Sequence, residues 1–415
     1  MRVLKVVQSY YPFLERGGPV VKVRALARGL SRRGHEITVL TADLGLARRA
    51  SEGLHFERSV WGWRVQEDGV EAFYLPTFGH YRSITFNPSA RHFCKEVLGR
   101  FDVVHFYGLY DLLGPSASRF CRERRIPYVI EPMGMYRPID RSFRLKRLWH
   151  RTIGKAHLRH AARIIATSEL ERDDLVEQSV PAGKIVVRYN GIDIDCSGPA
   201  PRPGDFRAKW KIASDEPMIL FVSRLIPRKG ADLLIEAFSK VCSDRGKLVI
   251  AGPEGEAGYV DYLRKCAAEN GVESQVIFAG AVYDSEKRAM YSDATVFVLP
   301  SRYENFANVV AEAIACNVPV IVSDTCGISS LVAGKAGLVI PPDRNSLLAN
   351  LDMLLHDHVL WRKLKAGCGK VAAQLSWEAL SGEMESIYAD VLSRTKGSDD
   401  AQGSAQRIAV GNVTH

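Results

Sequence analysis

The sequence lacks long apolar runs, and no stretch approaches the roughly 18 residues that a membrane-spanning helix requires. The apolar stretch within Met1–Ser9 is too short for a secretory signal and leads directly into a strand pattern. We therefore expect a cytoplasmic globular protein. Its 415 residues leave room for two or three domains with a large core.

Cysteines are few and scattered. None of the eight belongs to a C-x-x-C pair or lies in a cluster with histidines. This spacing argues against a zinc site and against a disulfide framework, and it favours buried, reduced thiols.

Acidic residues do not balance the basic ones in the first half of the chain. Residues 1–198 contain 32 Lys and Arg against 21 Asp and Glu, whereas the remainder contains 24 against 26. A basic half suits nucleic acid, anionic lipid or a phosphorylated acceptor. No helix-turn-helix, zinc-finger or RNA-binding signature accompanies the charge, so nucleic acid is not an expected partner.

Short β-branched apolar runs alternate with amphipathic helical stretches along the whole chain. In the first half the predicted buried strands are Val3–Val7, Ile37–Leu40, Val103–Phe106, Tyr128–Ile130 and Ile164–Ala166. In the second half they are Met218–Val222, Leu248–Ala251, Val276–Ala279, Val296–Leu299, Val318–Val322 and Gly337–Ile340. The alternation predicts an α/β protein with doubly wound parallel sheets.

A Pro- and Gly-rich segment, Ser197–Gly204, separates the two alternating sets. It predicts one Rossmann-like domain over residues 1–198 and a second over residues 199–375. A last helix over 376–395 and a disordered tail over 396–415 complete the expected organisation. Ligands of such folds bind at the carboxyl ends of the strands.

Two glutamates, Glu304 and Glu312, follow the predicted strand Val296–Leu299. Within one helix, a spacing of eight residues separates them by about 12 Å, which is too far to share a proton. If Glu304 precedes the helix and Glu312 lies inside it, both can accept hydrogen bonds from hydroxyls of one ligand. Backbone N–H groups near Phe306–Asn308 would suit a phosphate. The alternative is one solvated glutamate and one on a helix face.

Two other segments also follow predicted strands. Arg224 and Lys229 lie in a basic loop and could neutralise a diphosphate without a metal, the first as a planar fork and the second as a point charge. The alternative is a basic surface turn. Gly17 and Gly18 open a helix, where glycine lets backbone amides approach a phosphate or sugar closely. A plain tight turn explains these glycines equally well.

Over about residues 1–393, the chain resembles the family 4 retaining glycosyltransferases of the GT-B architecture. The order and spacing of Arg224 with Lys229, of Glu304 with Glu312, and of the Gly17-Gly18 loop match that family's pattern. Shorter matches are RGHEITV from Arg33, YNGID from Tyr189, AGP from Ala251, FAG from Phe278, PVIV from Pro319 and AGLVI from Ala336.

The resemblance implies two facing Rossmann-like domains that transfer a sugar from a nucleotide diphosphate donor with retention. Glu312 would bind the ribose hydroxyls and Glu304 the donor sugar, while Arg224 and Lys229 would hold the diphosphate. Stabilising the departing diphosphate then supplies most of the catalysis, without metal, cofactor or protein nucleophile. The remaining expected donor-binding residues are Gly17, Gly18, Asn305, Phe306, Ala307 and Asn308.

Several positions depart from the family's pattern. Ala307 stands where the family often has Gly, and its methyl group would narrow the sugar pocket. Asn317 also replaces a common Gly, but Asn tolerates a left-handed helix end. Tyr107 takes the place of the second of two histidines, and Met133 that of a common His or Arg. His105 is therefore either a catalytic residue in contact with the donor or a packed strand-end imidazole.

Two further segments carry expectations. Asp193-Ile-Asp195 spells the metal-binding D-x-D pattern of other transferases, but it falls in the YNGID turn that the family uses structurally, so no metal is expected. Residues 143–163 contain seven basic residues and no acidic ones, with apolar residues between them. They predict either a basic amphipathic helix on the inner face of an anionic membrane or a solvated basic face over an internal core.

The sequence thus predicts a retaining hexosyltransferase of surface polysaccharide, lipopolysaccharide or glycolipid biosynthesis, with a glycan or lipid-linked acceptor. The family favours UDP over GDP as the donor nucleotide. One alternative is a GT-B epimerase, which needs acid and base groups near the sugar carbon, or a phosphorylase, which usually needs a cofactor-bearing lysine. Another is a non-catalytic nucleotide-sugar binding protein, in which loss of Glu304, Arg224 or Lys229 is expected, although all three are present.

Overall fold

The chain forms two compact units in a computed structural model. The first unit comprises residues 1–167, 171–189 and 377 onward, and the second comprises residues 168–170 and 190–376. The structure describes residues 1–46, 55–81, 84–137, 147–192, 202–242 and 245–411, with the side chains of 15, 284 and 396–411 left out. The D-x-D residues, Cys196, most of the predicted linker and residues 143–146 of the basic segment lie outside the described residues.

The first unit contains a nine-stranded sheet in the order β11-β10-β9-β8-β1-β2-β5-β4-β3. Neighbouring strands are parallel except for the β5–β4 and β4–β3 pairs. The strands are β1 (Arg2–Val6), β2 (Glu36–Ala42), β3 (Phe56–Ser59), β4 (Gly62–Glu67), β5 (Val70–Leu75), β8 (Val103–Tyr107), β9 (Tyr128–Glu131), β10 (Arg163–Ala166) and β11 (Ile185–Val187). Two more strands, β6 (Gly79–Tyr81) and β7 (Ile84–Phe86), form a separate antiparallel pair.

The helices in this part of the chain are α1 (Gly18–Arg32), α2 (Ser89–Val97), α3 (Leu113–Glu123), α4 (Lys155–Arg159) and α5 (Glu169–Glu177). Helix α1 shows why they form: its apolar residues recur at helical spacing, and Val20, Val23, Leu26, Ala27 and Leu30 are buried. Gly34 follows the helix with a φ of 84°, the left-handed conformation that commonly ends a helix.

The second unit contains a six-stranded sheet in the order β14-β13-β12-β15-β16-β17, with every neighbouring pair parallel. The strands are β12 (Met218–Val222), β13 (Lys247–Ala251), β14 (Val276–Gly280), β15 (Val296–Leu299), β16 (Val320–Ser323) and β17 (Gly337–Ile340). The helices are α6 (Asp205–Lys209), α7 (Ala231–Val241), α8 (Tyr259–Glu269), α9 (Asp284–Ser292), α10 (Asn308–Ala315), α11 (Ser329–Val332), α12 (Arg344–His356) and α13 (His358–Gln374).

The predicted fold class is confirmed in each unit, and every predicted strand overlaps an observed one. The strands between residues 56 and 86 and the edge strand β11 were not predicted. Strands β3 and β6 are mostly exposed, so they lack the continuous apolar run that marks a strand buried on both faces.

The last helix, α14 (Trp377–Gly411), belongs to the first unit and packs on α1. The packing is close: a Cβ on Gly29 would lie 2.1 Å from the Ser381 hydroxyl oxygen. Arg33 and His35 both contact Glu385, at 2.6 and 2.9 Å. The helix continues through 396–411, where composition predicts disorder, because a helix satisfies its backbone hydrogen bonds locally. Within the described ranges, no helix is long and apolar enough to cross a membrane.

Candidate functional site

The strand order of the second sheet reverses between β12 and β15. Open α/β sheets bind ligands at the carboxyl ends of the strands beside such a reversal. Arg224 and Lys229 follow β12, Glu304 follows β15, and Glu312 lies in α10, the next helix. The topology therefore gathers these four predicted residues at one edge of the sheet.

Lys229 and Glu304 form an ion pair at this edge, with side chains that are 8% and 24% exposed. The loop after β16 fixes the backbone of Glu304. Its N–H donates to the Thr325 carbonyl at 3.0 Å, and its carbonyl accepts from the Gly327 N–H at 2.9 Å. An anion that binds Lys229 and a hydroxyl that binds Glu304 could each replace one partner of this pair.

The two loops that carry Lys229 and Glu304 touch at Gly230. This glycine has a φ of 75°, and a Cβ on it would lie 2.4 Å from the Pro300 carbonyl oxygen. The Arg302 N–H donates to the Arg228 carbonyl at 2.9 Å and joins the same loops. Only glycine permits both the conformation and the close approach, so it positions the lysine beside the glutamate.

Arg224 differs from Lys229 because it is exposed and has no hydrogen-bond or ion-pair partner within the part of the chain that the structure describes. Its backbone is nevertheless held. The next N–H, of Leu225, donates to the Pro253 carbonyl at 2.9 Å. Gly252 packs so closely that a Cβ would lie 1.8 Å from the Ser223 carbonyl oxygen. The loop that carries Arg224 is thus fixed, and the exposed guanidinium can bind an anion.

The segment between the two glutamates turns sharply before α10. Ala307, with φ 79° and ψ 66°, is left-handed and buried, and it immediately precedes the helix. The left-handed conformation costs a non-glycine residue about 1–2 kcal/mol. Asn317, at the other end of α10, has a φ of 58° and confirms the predicted left-handed helix end.

The other residues of this segment are anchored within the second unit. The Phe306 carbonyl accepts from the Ile328 N–H at 3.0 Å. A Cβ on Gly327 would lie 1.9 Å from the Asn305 carbonyl oxygen, so that glycine permits a close crossing. The Asn308 side-chain oxygen accepts from the Asn190 amide at 3.0 Å. These contacts hold the start of α10 against the loop after β16.

Two residues of α9, neither of which was predicted from the sequence, hold Glu312. Lys287 Nζ lies 2.9 Å from Glu312 Oε1 and 2.8 Å from Oε2. The Tyr291 hydroxyl donates to Oε2 at 2.8 Å. Burial, and then the charge of Glu312, raise the pKa of Tyr291 well above its usual value, so the hydroxyl stays protonated. A spacing of four residues on one helix face was the available signal.

The first sheet reverses its strand order between β1 and β8, and the Gly17-Gly18 loop lies between β1 and α1. Gly17 has φ 86° and ψ −156°, a backbone conformation that strongly favours glycine, although a Cβ would meet nothing within 4 Å. No side chain caps the start of α1. The conformation requires glycine here. The Gly17 N–H donates to the Leu14 carbonyl at 2.9 Å, so of these two glycines it is Gly18 whose N–H can serve a ligand.

His105 lies in β8 with no exposed surface. Its Nδ1 is 2.7 Å from the Tyr388 hydroxyl of α14, and its ring stacks on Tyr107 with centroids 4.0 Å apart. Burial, and then the positive charge of Lys5, lower the pKa of His105 well below its usual value, which keeps the ring neutral. A donor contact would require these neighbours to move, and the catalytic role of His105 stays a prediction.

A buried ionic cluster surrounds this histidine. Glu131, at the end of β9, pairs with Lys22 of α1 and, at 2.7 Å, with Arg188. Lys5 donates to the Tyr107 hydroxyl at 2.7 Å. Burial, and then the nearby Arg188, lower the pKa values of both Lys5 and Lys22. This cluster was not predicted from the sequence, although Lys5 interrupts an apolar run in β1 and Glu131 ends one in β9.

The described part of the basic segment, from residue 147, has both an inner and an outer apolar face. Trp149 donates its indole N–H to the Leu109 carbonyl at 2.8 Å, and Leu158 joins the core. Leu148 and Ile153 are 59% and 37% exposed. The segment therefore packs internally and also presents apolar side chains outward among its basic residues.

No group of three His, Cys, Asp or Glu side chains that could hold a metal ion occurs among the described residues. The proposed D-x-D pattern lies outside them, so metal independence stays a prediction. The seven described cysteines are free, and all but Cys316 are buried.

The family models and relatives that match this chain are glycosyltransferases. Residues 17–191 match the family model "Glycosyl transferase 4-like domain", and residues 204–374 match "Glycosyl transferases group 1". An uncharacterized glycosyltransferase of Methanocaldococcus jannaschii is 27% identical over 94% of this chain and 98% of that protein. A D-inositol 3-phosphate glycosyltransferase of Frankia alni is 30% identical over 71% of this chain and 75% of its own length.

One solved structure shows the likeness of fold. The Anabaena protein HepE, in complex with UDP-glucose, superposes with a TM-score of 0.71 at 18% identity. The superposition covers 94% of this chain and 100% of HepE.

Proposed function

Because the chain belongs to the group 1 glycosyl transferases and has their GT-B architecture, we propose that it transfers a hexose from a nucleoside diphosphate sugar to a glycan or lipid-linked acceptor, with retention of anomeric configuration. The observation that carries the proposal is the gathering of Arg224, Lys229, Glu304 and Glu312 at the strand reversal of the second sheet.

In this proposal the diphosphate binds Arg224 and Lys229. Arg224 is exposed and offers a planar pair of N–H donors, whereas Lys229 exchanges Glu304 for a phosphate oxygen. The released Glu304 then accepts hydrogen bonds from hydroxyls of the donor sugar. Negative charge builds up on the diphosphate as the glycosidic bond breaks, and two fixed cations stabilise that charge most in the transition state. Acceptor attack on the face that the diphosphate leaves gives retention.

The other proposed donor contacts come from backbone groups and from Glu312. Glu312 accepts from a ribose hydroxyl, and the N–H groups at the start of α10 face a phosphate. Gly17 and Gly18 form the turn before α1, in which Gly17 supplies the conformation and Gly18 the N–H that can reach the donor. No metal is part of this proposal, since the two cations supply the positive charge that the leaving group needs.

UDP is the proposed donor nucleotide and GDP the competing one. The HepE complex with UDP-glucose supports the choice, as does the frequency of UDP in the family. The excess of basic residues over 1–198 supports an anionic or lipid-linked acceptor, as in surface polysaccharide, lipopolysaccharide or glycolipid synthesis. We place the enzyme in the cytoplasm, with Leu148, Ile153 and their basic neighbours resting on the inner face of the membrane.

Thermal unfolding of the wild type and of Glu312→Ala with UDP, GDP and ADP, each with and without EDTA, tests the donor site. A ligand at a hundredfold excess over its Kd stabilises the folded state by about 2.7 kcal/mol. We expect UDP to raise the Tm of the wild type equally with and without EDTA, and we expect Glu312→Ala to lose most of this rise. Folded wild-type protein that none of the three nucleotides stabilises would contradict the proposal.

Assays of substrate conversion distinguish the proposed transferase from the alternative enzymes. With a UDP-sugar and no acceptor, an epimerase would convert the sugar. With a glycan and inorganic phosphate, a phosphorylase would cleave the glycosidic bond and release a sugar phosphate. A retaining transferase should release UDP in step with glycosylation of an added acceptor.

A further inference from the structure

We propose that Lys287 and Tyr291 are positioning residues that hold the Glu312 carboxylate in one orientation and thereby set how strongly the enzyme prefers a ribonucleotide to its deoxy analogue. This inference rests on the proposed function, because it takes Glu312 as the group that binds the ribose.

Three contacts fix the carboxylate from one side. Lys287 Nζ reaches both oxygens, at 2.9 Å to Oε1 and 2.8 Å to Oε2, and the Tyr291 hydroxyl reaches Oε2 at 2.8 Å. A carboxylate has about four acceptor sites. The three contacts leave one site, on Oε1, for a hydroxyl of a ligand. Since the Glu312 side chain is 33% exposed, a ligand can reach this remaining site.

The two partners differ in what they contribute. Tyr291 is buried and its hydroxyl stays protonated at neutral pH, so it is a rigid donor on the inner side of the carboxylate. Lys287, 32% exposed, adds a positive charge. That charge offsets the repulsion between Glu312 and a diphosphate bound at the same sheet edge.

Holding the carboxylate in advance strengthens binding because less entropy is lost when the ligand arrives. Restricting a glutamate side chain costs conformational entropy, and here the folded protein has met that cost before the ligand binds. A hydrogen bond from a ribose hydroxyl to a charged, fixed acceptor should then be strong, and a nucleotide that lacks this hydroxyl should bind markedly less well.

The test measures the Kd values of UDP, 2′-deoxy-UDP and 3′-deoxy-UDP by calorimetry. We expect the wild type to bind one of the deoxy analogues about tenfold or more weakly than UDP. In Lys287→Ala, UDP should bind about tenfold more weakly and this preference should shrink to about threefold or less. Tyr291→Phe, which keeps the ring and removes only the hydroxyl, should shift both values in the same direction by a smaller factor.

The chain offers a matched control and a rescue. Lys265 pairs with Glu269 at 3.6 Å on α8, where both side chains are largely exposed, so Lys265→Ala removes a lysine–glutamate pair that includes none of the proposed donor-binding residues. Lys265→Ala should keep the wild-type Kd values, and Lys287→Arg should restore most of the preference. In turnover, Lys287→Ala should raise the donor KM more than it lowers kcat, because ribose binding acts in the ground state and the transition state alike.

The outcomes separate the two proposals. If the wild type binds UDP but Lys287→Ala and Tyr291→Phe keep its Kd and its preference, the positioning role is wrong and the donor site stands. The positioning role is also overturned if Lys265→Ala loses as much UDP affinity as Lys287→Ala, or if Lys287→Ala leaves the donor KM unchanged. If the wild type binds no nucleotide, the proposed function fails and the inference fails with it.

Discussion

The two units use ionisable side chains differently at the same point of a similar sheet. Beside the strand reversal of the second unit, Arg224 is exposed, and Glu304 and Glu312 are 24% and 33% exposed. Beside the strand reversal of the first unit, the ionisable side chains are no more than 5% exposed. They belong to Lys5, Lys22, His105, Glu131 and Arg188.

The difference shows which charges are available to a ligand. Charges at a reachable edge can exchange a protein partner for a phosphate or a hydroxyl, as proposed for Lys229 and Glu304. Charged side chains that are buried in a core must pair with one another. Removing one partner leaves the other buried and uncompensated. The last helix closes the first cluster, since Tyr388 places its hydroxyl on His105. We therefore expect substitutions in the first cluster to change stability and those in the second to change activity.

Glu131→Gln should have the largest effect and is the strongest test of this contrast. Without the carboxylate, Lys22 and Arg188 remain buried with no negative partner at this position, and removing one member of such a group costs about 3–5 kcal/mol. Differential scanning calorimetry and urea unfolding should show the loss. Glu177→Gln, an exposed glutamate of the same unit, is the control and should leave the Tm unchanged. If Glu131→Gln changed the free energy of unfolding by less than about 1 kcal/mol, the proposed difference between the two units would be wrong.

Glu304→Gln should show the opposite pattern. Because Glu304 is 24% exposed and lies at an edge that a ligand can reach, its loss should lower the free energy of unfolding less than Glu131→Gln does. The kcat/KM for the sugar donor should fall about a hundredfold, as when one stabilising group of a transition state is removed. Glu273→Gln, exposed in the same unit, should keep full activity. Unchanged kcat/KM in Glu304→Gln would exclude its proposed contact with the sugar.

Ala307→Gly should have the smallest effect on stability and activity, and it tests whether the methyl group of Ala307 strains the backbone beside the site of the second unit. Glycine relieves the left-handed strain at φ 79° but gains entropy in the unfolded chain, so the net gain in stability should be at most about 1 kcal/mol. If the methyl group narrows the sugar pocket, the donor KM should fall as well. Asn317→Gly, at φ 58°, should gain less because Asn tolerates this conformation. A clear loss of stability in Ala307→Gly would contradict the strain.

The positions of the candidate residues at strand ends could be predicted from local signals, whereas their roles came from the resemblance to the family and stay predictions. Glu304 and Glu312 follow one strand, Arg224 and Lys229 follow another, and strand ends mark binding edges in this fold class. What holds these side chains could not be predicted in the same way. Lys287 and Tyr291 belong to a different helix, and the loop that fixes Glu304 follows yet another strand.

The sequence by itself determined the α/β class and the positions of nearly all the parallel strands, because the period of apolar residues depends only on neighbours along the chain. It also indicated the left-handed Asn317, since that conformation is set by local sterics. Only the tertiary structure decided which charges are buried and which partners they have. Tyr388 and His105 are 283 residues apart in sequence, and only the packing of the last helix on the first unit brings them together.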